Sequence, residues 1–63
     1  GSGDVSVVPG DEGIAESPLR PAGRAQFGDR FLDVVSDGSF VEVGQVIKVV
    51  QIEGHRIVVR PVS

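Results

Sequence analysis

Residues 49–60, VVQIEGHRIVVR, decide the fold because they have the pattern of a single β-hairpin. Gly54-His55 fits a two-residue type II′ turn, which needs glycine at its first central position. The resulting register places Glu53 opposite Arg56, as a cross-strand ion pair. It also gives the hairpin one apolar face, formed by Val50, Ile52, Ile57 and Val59, and an opposite face formed by Gln51, Glu53, Arg56 and Val58.

The strand that leads into this hairpin needs an irregularity. Ile47 and Val49 occupy one parity along the strand, whereas Val50 and Ile52 occupy the other. Because a regular strand points successive side chains to opposite faces, both pairs face one core only if the strand contains an extra residue. We therefore predict a β-bulge near Val49-Val50, with Val50 pairing with Val59 beyond it.

Upstream of the hairpin the chain alternates β-rich runs with glycine, and no stretch keeps an uninterrupted helical stripe of apolar residues. The predicted strands are 14–19, 23–27, 30–36, 45–52 and 56–61. Glycines at the breaks are assigned to turns or tight positions: Gly23, Gly28, Gly38, Gly44 and Gly54. Five short strands predict an all-β fold, a small five-stranded OB-type barrel with no regular helix.

Residues 19–34, LRPAGRAQFGDRFLDV, supply the strands on either side of a Gly28-Asp29 turn. Alternation assigns these side chains to the interior: Leu19, Ala25, Phe27, Leu32 and Val34. Phe40 is also assigned to the core. Phe31 falls on the outward face beside Arg30 and Asp33, which makes Phe31 and Arg30 the predicted contacts with a partner, since aromatic residues and arginine are enriched at interfaces.

The chain has 63 residues, which allows one domain with a small core. It has no methionine and begins Gly1-Ser2-Gly3, as expected for a tag or linker remnant on a piece of a longer protein. Residues 1–12 are predicted to be a flexible linker with little to bury, and residues 13–63 the folded domain. No run approaches the roughly 20 apolar residues of a membrane span, so this piece is expected to be soluble.

Charge and composition argue against several functions. The net charge is −3, and the acidic excess lies in residues 1–18, which hold four acidic residues and no basic one. The remaining residues have a net charge close to zero, whereas a nucleic-acid-binding domain usually has a clear excess of basic residues. Phenylalanine is the only aromatic type, with three copies, and single-strand binding needs more stacking platforms. Single-stranded nucleic-acid binding is kept as the alternative function.

Chemistry at a catalytic or cofactor site is not predicted. His55 is the only histidine and falls at the hairpin turn, without a spaced set of companions for a metal. No nucleophile–base–acid arrangement is evident around it. Lys48 lies mid-strand rather than at a hairpin tip, so no covalently carried cofactor is expected, and no small-molecule substrate is indicated.

Several pieces of the chain recur together, at this spacing, in one known family: Leu19-Arg20-Pro21 with Gly23, Ala25, Phe27-Gly28, Asp33-Val34, Ser36, the Gly38–Val41 segment, Gly44 and the hairpin through Pro61. In this combination, over about residues 13–62, the chain resembles the soluble C-terminal domain of the NfeD family of prokaryotic membrane proteins. No single piece is decisive alone.

The resemblance implies an OB-type barrel that follows transmembrane helices. Longer family members also carry a ClpP-like serine protease domain, of which no residue maps onto this chain. It further implies a non-enzymatic interaction module whose partner is a stomatin- or flotillin-like protein, or the parent's own protease and membrane portions. The side of the membrane stays open, with the cytoplasmic face favoured.

The predicted hairpin register carries its own test. Val50→Asp or Ile57→Asp is expected to unfold the domain, because each would bury an unpaired charge in a small core.

Overall fold

The computed structural model describes residues 7–62 and contains five strands, β1 (Glu12–Ala15), β2 (Ala22–Phe27), β3 (Arg30–Ser36), β4 (Val46–Glu53) and β5 (Arg56–Pro61). They form a closed barrel in the order β1-β2-β3-β5-β4, with β4 returning to pair with β1. The β3–β5 pair is parallel and the other pairs are antiparallel. No helix occurs within the described range, and the predicted all-β, five-stranded barrel is confirmed.

The β4–β5 hairpin has the predicted register through its turn. Glu53 pairs with Arg56, and Ile52 pairs with Ile57. Gly54 has a φ of 60°, whereas no other residue type between 7 and 62 has a positive φ. A positive φ at the first central position only is the pattern of a type II′ turn. Gly54 adopts this conformation without strain, whereas a residue with a side chain would be strained there.

The predicted bulge is present in β4, but it places Val50 differently from the prediction. The register shifts between Val49 and Gln51, and Val59 pairs with Val49 instead of Val50. Val50 is therefore the extra residue, and its exposed fraction is 37%, against 1% for Val49. The assignment of Val50 to the apolar inner face was wrong, because the bulged residue itself is turned outward, and the inward positions on either side of it are Val49 and Ile52.

The predicted ion pair across the hairpin turn is absent. Glu53 and Arg56 are opposite each other in the register, yet the salt bridges among residues 7–62 do not include this pair. The Glu53 carboxylate instead accepts a hydrogen bond from the side-chain amide of Gln51. The apolar alternation of the two strands is thus sufficient to set the register without the charges.

The core is made of small and branched aliphatic side chains around one aromatic ring. Its buried members are Val7, Ala15, Leu19, Ala25, Phe27, Val34, Val41, Ile47, Val49, Ile57 and Val59, with Leu32 and Ile52 packed against them. Phe40 is 55% exposed, so its assignment to the core was wrong. Backbone hydrogen bonds between Leu19 and Val41 draw Val41 inward, and the alternation then turns Phe40 to the surface.

The segment before β1 also contributes to the core. Val7 is 4% exposed and Gly10 N–H donates to the Val49 carbonyl at 2.8 Å. The expectation that this segment has little to bury is therefore wrong at Val7, while residues 1–6 of the predicted linker lie outside the described residues. The boundary predicted at residue 12 stays a prediction.

The first strand is shorter than predicted and begins earlier, at residues 12–15 in place of 14–19. Pro18 has no N–H to donate to a ladder, which disfavours an extension of β1 through it. Ser17 forms a local connection instead: its hydroxyl accepts a hydrogen bond from the Arg24 N–H at 3.0 Å.

The bulge generates a test with two adjacent positions. We expect Val49→Asp to unfold the domain, because an unpaired carboxylate would be buried in a core whose net stabilisation is only about 3–5 kcal/mol. Val50→Asp is expected to change the free energy of unfolding by less than about 1 kcal/mol, since Val50 is partly in water. Ile57→Asp remains expected to unfold the protein. Urea denaturation followed by circular dichroism distinguishes the variants, and equal destabilisation at 49 and 50 would contradict the observed register.

Candidate functional site

The outer face of β2 and β3 holds the side chain that the sequence pattern singled out. Phe31 is 52% exposed and lies opposite Gln26 in the β2–β3 ladder. Arg30 is also exposed, but it alternates to the other side of β3. There it lines a depression at the end of the barrel with Val7 and Asp11. The structure therefore does not bring Phe31 and Arg30 to one face, as their adjacency in sequence had suggested.

Phe31 is the end of an apolar row that crosses the outside of the barrel. Lateral pairing joins Phe31 to Gln26, Gln26 to Ile14 and Ile14 to Val46. Val62 N–H donates to the Val46 carbonyl at 2.9 Å and extends the same line. We call these five residues the apolar row: Val62, Val46, Ile14, Gln26 and Phe31.

The apolar members of this row are unusually exposed for a chain this small. All four of them keep between 41% and 52% of their surface in water. Side chains that are laterally paired across a sheet point to the same face, so Val62, Val46 and Ile14 are neighbours, while Gln26 lies between Ile14 and Phe31. Single exposed apolar residues need no explanation, whereas a contiguous strip marks a surface suited to association.

Charged side chains lie on both sides of the apolar row. Lys48 pairs with Glu12 and with Arg60 along one side. On the other side, Arg24 lies opposite Asp33, with the Arg24 Nε 3.6 Å from the Asp33 Oδ1. Both of these side chains are well exposed, so their ion pair contributes little to stability. An apolar centre with a polar rim is the usual arrangement of a protein interface.

A groove of about 620 Å³ is lined by residues of the β1–β2 connection, β2, β3 and the β4–β5 hairpin. Its larger apolar lining residues are Val34, Val35 and Ile57. The charged residues and the histidine in the lining are Arg24, Asp33, His55 and Arg56, and the small residues are Ser17, Ala22 and Gly23. No aromatic ring lines it. The strands 2–3 face between the β1–β2 and β4–β5 connections is where OB-type barrels commonly bind ligands.

Gly23 fixes one wall of this groove through a close approach. A Cβ at this position would lie 2.5 Å from the Leu19 Cδ2 and 2.7 Å from both the Pro18 carbonyl oxygen and the Ser17 Oγ. Only glycine therefore lets the β1–β2 connection pack directly on β2. The remaining glycines assigned to turns each have a positive φ: Gly28, Gly38, Gly44 and Gly54.

The sequence pattern missed a second exposed aromatic residue. The guanidinium carbon of Arg20 lies 5.4 Å from the centroid of the exposed Phe40 ring, within the range of a cation–π contact. This pair lines a separate depression with Pro21, Ser36 and Ser39. If Val41 is assigned to the core, the alternation of side chains along an extended segment places Phe40 outside, and this was the signal that could have found it.

Within residues 7–62, no group of three or more His, Cys, Asp or Glu side chains lies close enough to hold a metal ion. His55 lies in the exposed β4–β5 turn, and the Ser17 hydroxyl is engaged with the Arg24 backbone. The same residues contain no helix with the length and apolar character needed to span a bilayer.

Two comparisons with known proteins identify one family, and a solved structure shows the same fold. Residues 6–61 match the NfeD-like C-terminal, partner-binding domain. The chain is 51% identical over 53 residues to membrane protein NfeD1b of Bacillus subtilis, and this match covers 84% of the chain but 12% of that relative. The C-terminal domain of stomatin operon partner protein 1510-C from Pyrococcus horikoshii has the same fold, with a TM-score of 0.81 at 21% identity, over 87% of this chain and 88% of that one.

The close approach at Gly23 predicts a specific sensitivity. Gly23→Ala should lower the free energy of unfolding by about 1–3 kcal/mol, because the new methyl group must displace the β1–β2 connection. Ala22→Ser, at the exposed neighbouring position, is the control and should have an effect within about 0.5 kcal/mol. Chemical denaturation measures both. If Gly23→Ala is as stable as the parent sequence, the β1–β2 connection does not pack on Gly23 as described.

Proposed function

The chain belongs to the NfeD-like C-terminal, partner-binding domain family, and on this premise we propose that it is a non-enzymatic protein-interaction module of a membrane-anchored prokaryotic protein. The observation that carries the proposal is the apolar row, in which four exposed apolar side chains and Gln26 lie side by side with charged residues on both sides. Its partner is a stomatin- or flotillin-like protein, or the protease or membrane portion of the parent protein. Phe31 is the proposed anchor of this surface, and Arg30, which lies on the other side of β3, is a proposed contact outside the row.

The proposed membrane context has two supports. The relative from Bacillus subtilis is named a membrane protein, and the present chain spans only 12% of its length. A compact barrel of this kind then serves as the part of the parent protein that stands outside the bilayer. We place it on the cytoplasmic side, which is consistent with a chain that has no cysteine.

Among possible partners, a stomatin-like protein is the first to test. The protein of known structure that shares this fold is named a stomatin operon partner. That name belongs to the archaeal protein, and at 21% identity it transfers to this chain only as a hypothesis. The proposal therefore names a class of protein and not an individual partner.

Single-stranded nucleic acid is the second candidate, because the groove beside β2 and β3 has the position that OB-type barrels use for oligonucleotides. The composition of the groove argues against it. Single-strand binders stack bases on aromatic rings, and no ring lines the groove. Of the basic residues there, Arg24 already faces Asp33. A protein partner fits the observed surface better.

The apolar row is tested with one matched pair of variants in the full-length parent protein. Phe31→Ala should weaken binding to a stomatin-like protein from the same organism by about 30-fold or more, as expected for an anchor worth about 2 kcal/mol. Val43→Ala removes an equally exposed apolar residue outside the row and should leave the affinity unchanged. Biolayer interferometry with the purified partner measures both. Equal affinities for the parent sequence and Phe31→Ala would contradict the proposal.

The nucleic-acid candidate has its own measurement. A labelled oligothymidylate titrated at 50 and 200 mM salt should show no saturable binding to the chain. Tight binding that weakens steeply between these salt concentrations would overturn the protein-interaction proposal, because that slope reports the release of counterions from phosphates.

A further inference from the structure

The seam between β3 and β5 opens toward the start of both strands. Their parallel ladder has two rungs, and the first of them joins Val35 to Val58. The residues that precede this rung form no further rungs, and they line the groove of about 620 Å³ from both strands: Asp33, Val34, Arg56 and Ile57. The groove therefore begins where the two strands diverge.

The groove continues across β3 to the β1–β2 connection. Ala22 and Gly23 pair with Val35 and Val34 on the edge of β3 that is turned away from β5, and both belong to the lining. Because neither has more than a methyl group as a side chain, they leave the space above them open. Val35 is half-buried, so part of its side chain is available to a ligand in this space.

The charged side chains of the groove are not balanced. Arg24 and Arg56 face a single carboxylate, that of Asp33, whose Oδ1 lies 3.6 Å from the Arg24 Nε. Glu53 is opposite Arg56 in the hairpin register, but its carboxylate accepts a hydrogen bond from the side-chain amide of Gln51. In the described part of the chain, no carboxylate forms a salt bridge with Arg56. The groove thus presents an exposed positive charge on a chain whose net charge is −3.

We propose that this groove binds an acidic side chain of the protein partner together with the apolar side chain next to it. The carboxylate pairs with Arg56, and the apolar side chain packs against Val35. A guanidinium group can donate two parallel hydrogen bonds to a carboxylate, so the pair is matched in shape as well as in charge. The inference rests on the proposed function, and it names the chemistry that the partner presents.

The position of the groove is compatible with a partner anchored at Phe31. Phe31, Asp33 and Val35 have the same parity in β3, so their side chains point to the same face of the strand. Two residues, or about 7 Å of strand, separate Phe31 from Asp33, where the groove begins on β3. One segment of a partner can therefore contact Phe31 and also place an acidic residue in the groove.

The test uses the ¹⁵N-labelled chain and three tripeptides with blocked ends: VEV, VQV and GEG. Titration with VEV should shift the amide resonances of Val35, Arg56 and Ile57 in a saturable manner. VQV replaces the carboxylate by an amide and should bind about threefold more weakly or worse, as expected for the loss of an exposed ion pair. GEG keeps the carboxylate without the apolar neighbours, and it should also bind more weakly than VEV.

Two matched substitutions assign the preference for the carboxylate to Arg56. In Arg56→Gln the peptides VEV and VQV should bind equally, because the group that distinguishes them has been removed. Arg20→Gln makes the same change beside Phe40, outside the groove, and should keep the preference of the parent sequence.

A third variant tests the location by filling the groove. Ala22 is exposed and belongs to the lining, so Ala22→Trp places a large ring in the groove without entering the core. This variant should lose saturable VEV binding while its thermal unfolding, followed by circular dichroism, shows that it is still folded.

Three results would overturn the proposal. The first is the absence of saturable shifts with VEV, or shifts confined to Ile14 and Val46 in the apolar row. The second is equal binding of VEV and VQV to the parent sequence, or a preference for VEV that persists in Arg56→Gln. The third is oligothymidylate that shifts the groove amides at lower concentration than VEV, which would favour nucleic acid as the ligand.

The outcomes also separate this inference from the function on which it rests. If the stomatin-like protein binds the parent protein through Phe31 while VEV leaves the groove unchanged, the groove proposal fails alone. If VEV binds with the preference that depends on Arg56 while the stomatin-like protein does not bind, the groove proposal holds and that class of partner is wrong. If neither binds, both proposals fail.

Discussion

The single extra residue in β4 is the constraint on which the rest of the barrel depends. β4 pairs with β1 at one end and with β5 along its length, so it is the strand that completes closure. Without the bulge, a regular strand would bury Ile47 and Val49 and expose Ile52, or the reverse. Turning Val50 outward lets all three face the interior, where Val49 also accepts and donates backbone hydrogen bonds to the segment before β1. The packing of the core, the closure of the barrel and the packing of the segment before β1 therefore all depend on this one bulged residue.

The two surfaces of interest follow from how the barrel closes. Where β4, β1, β2 and β3 pair continuously, outward side chains fall into register and produce the apolar row. Where β3 meets β5 through two rungs only, the sheet opens and produces the groove. Phe31 belongs to the apolar row and not to the groove, to which β3 contributes Asp33, Val34 and Val35.

Much of this fold could be predicted from local rules. Glycine at position 54 and the alternation of Ile52 and Ile57 were sufficient for the hairpin, and the conflict of parities in β4 was sufficient for the bulge. The family resemblance is confirmed. What failed depended on long-range contacts: Val50 was placed inside because local alternation does not say which residue is the extra one. Phe40 was placed inside because the sequence does not reveal the bridge between Leu19 and Val41, which buries Val41 and so turns Phe40 outward. The apolar row could not be predicted, since its members come from five separate segments of chain.

Hydrogen–deuterium exchange on the full-length parent protein, with and without the stomatin-like partner, tests the central claim most directly, because it locates the contact without a substitution. Binding through the apolar row predicts slower exchange of amides around Phe31, Gln26 and Ile14 in the complex. Protection confined to the amides around Phe40 and Arg20, which lie outside the row, would contradict the account.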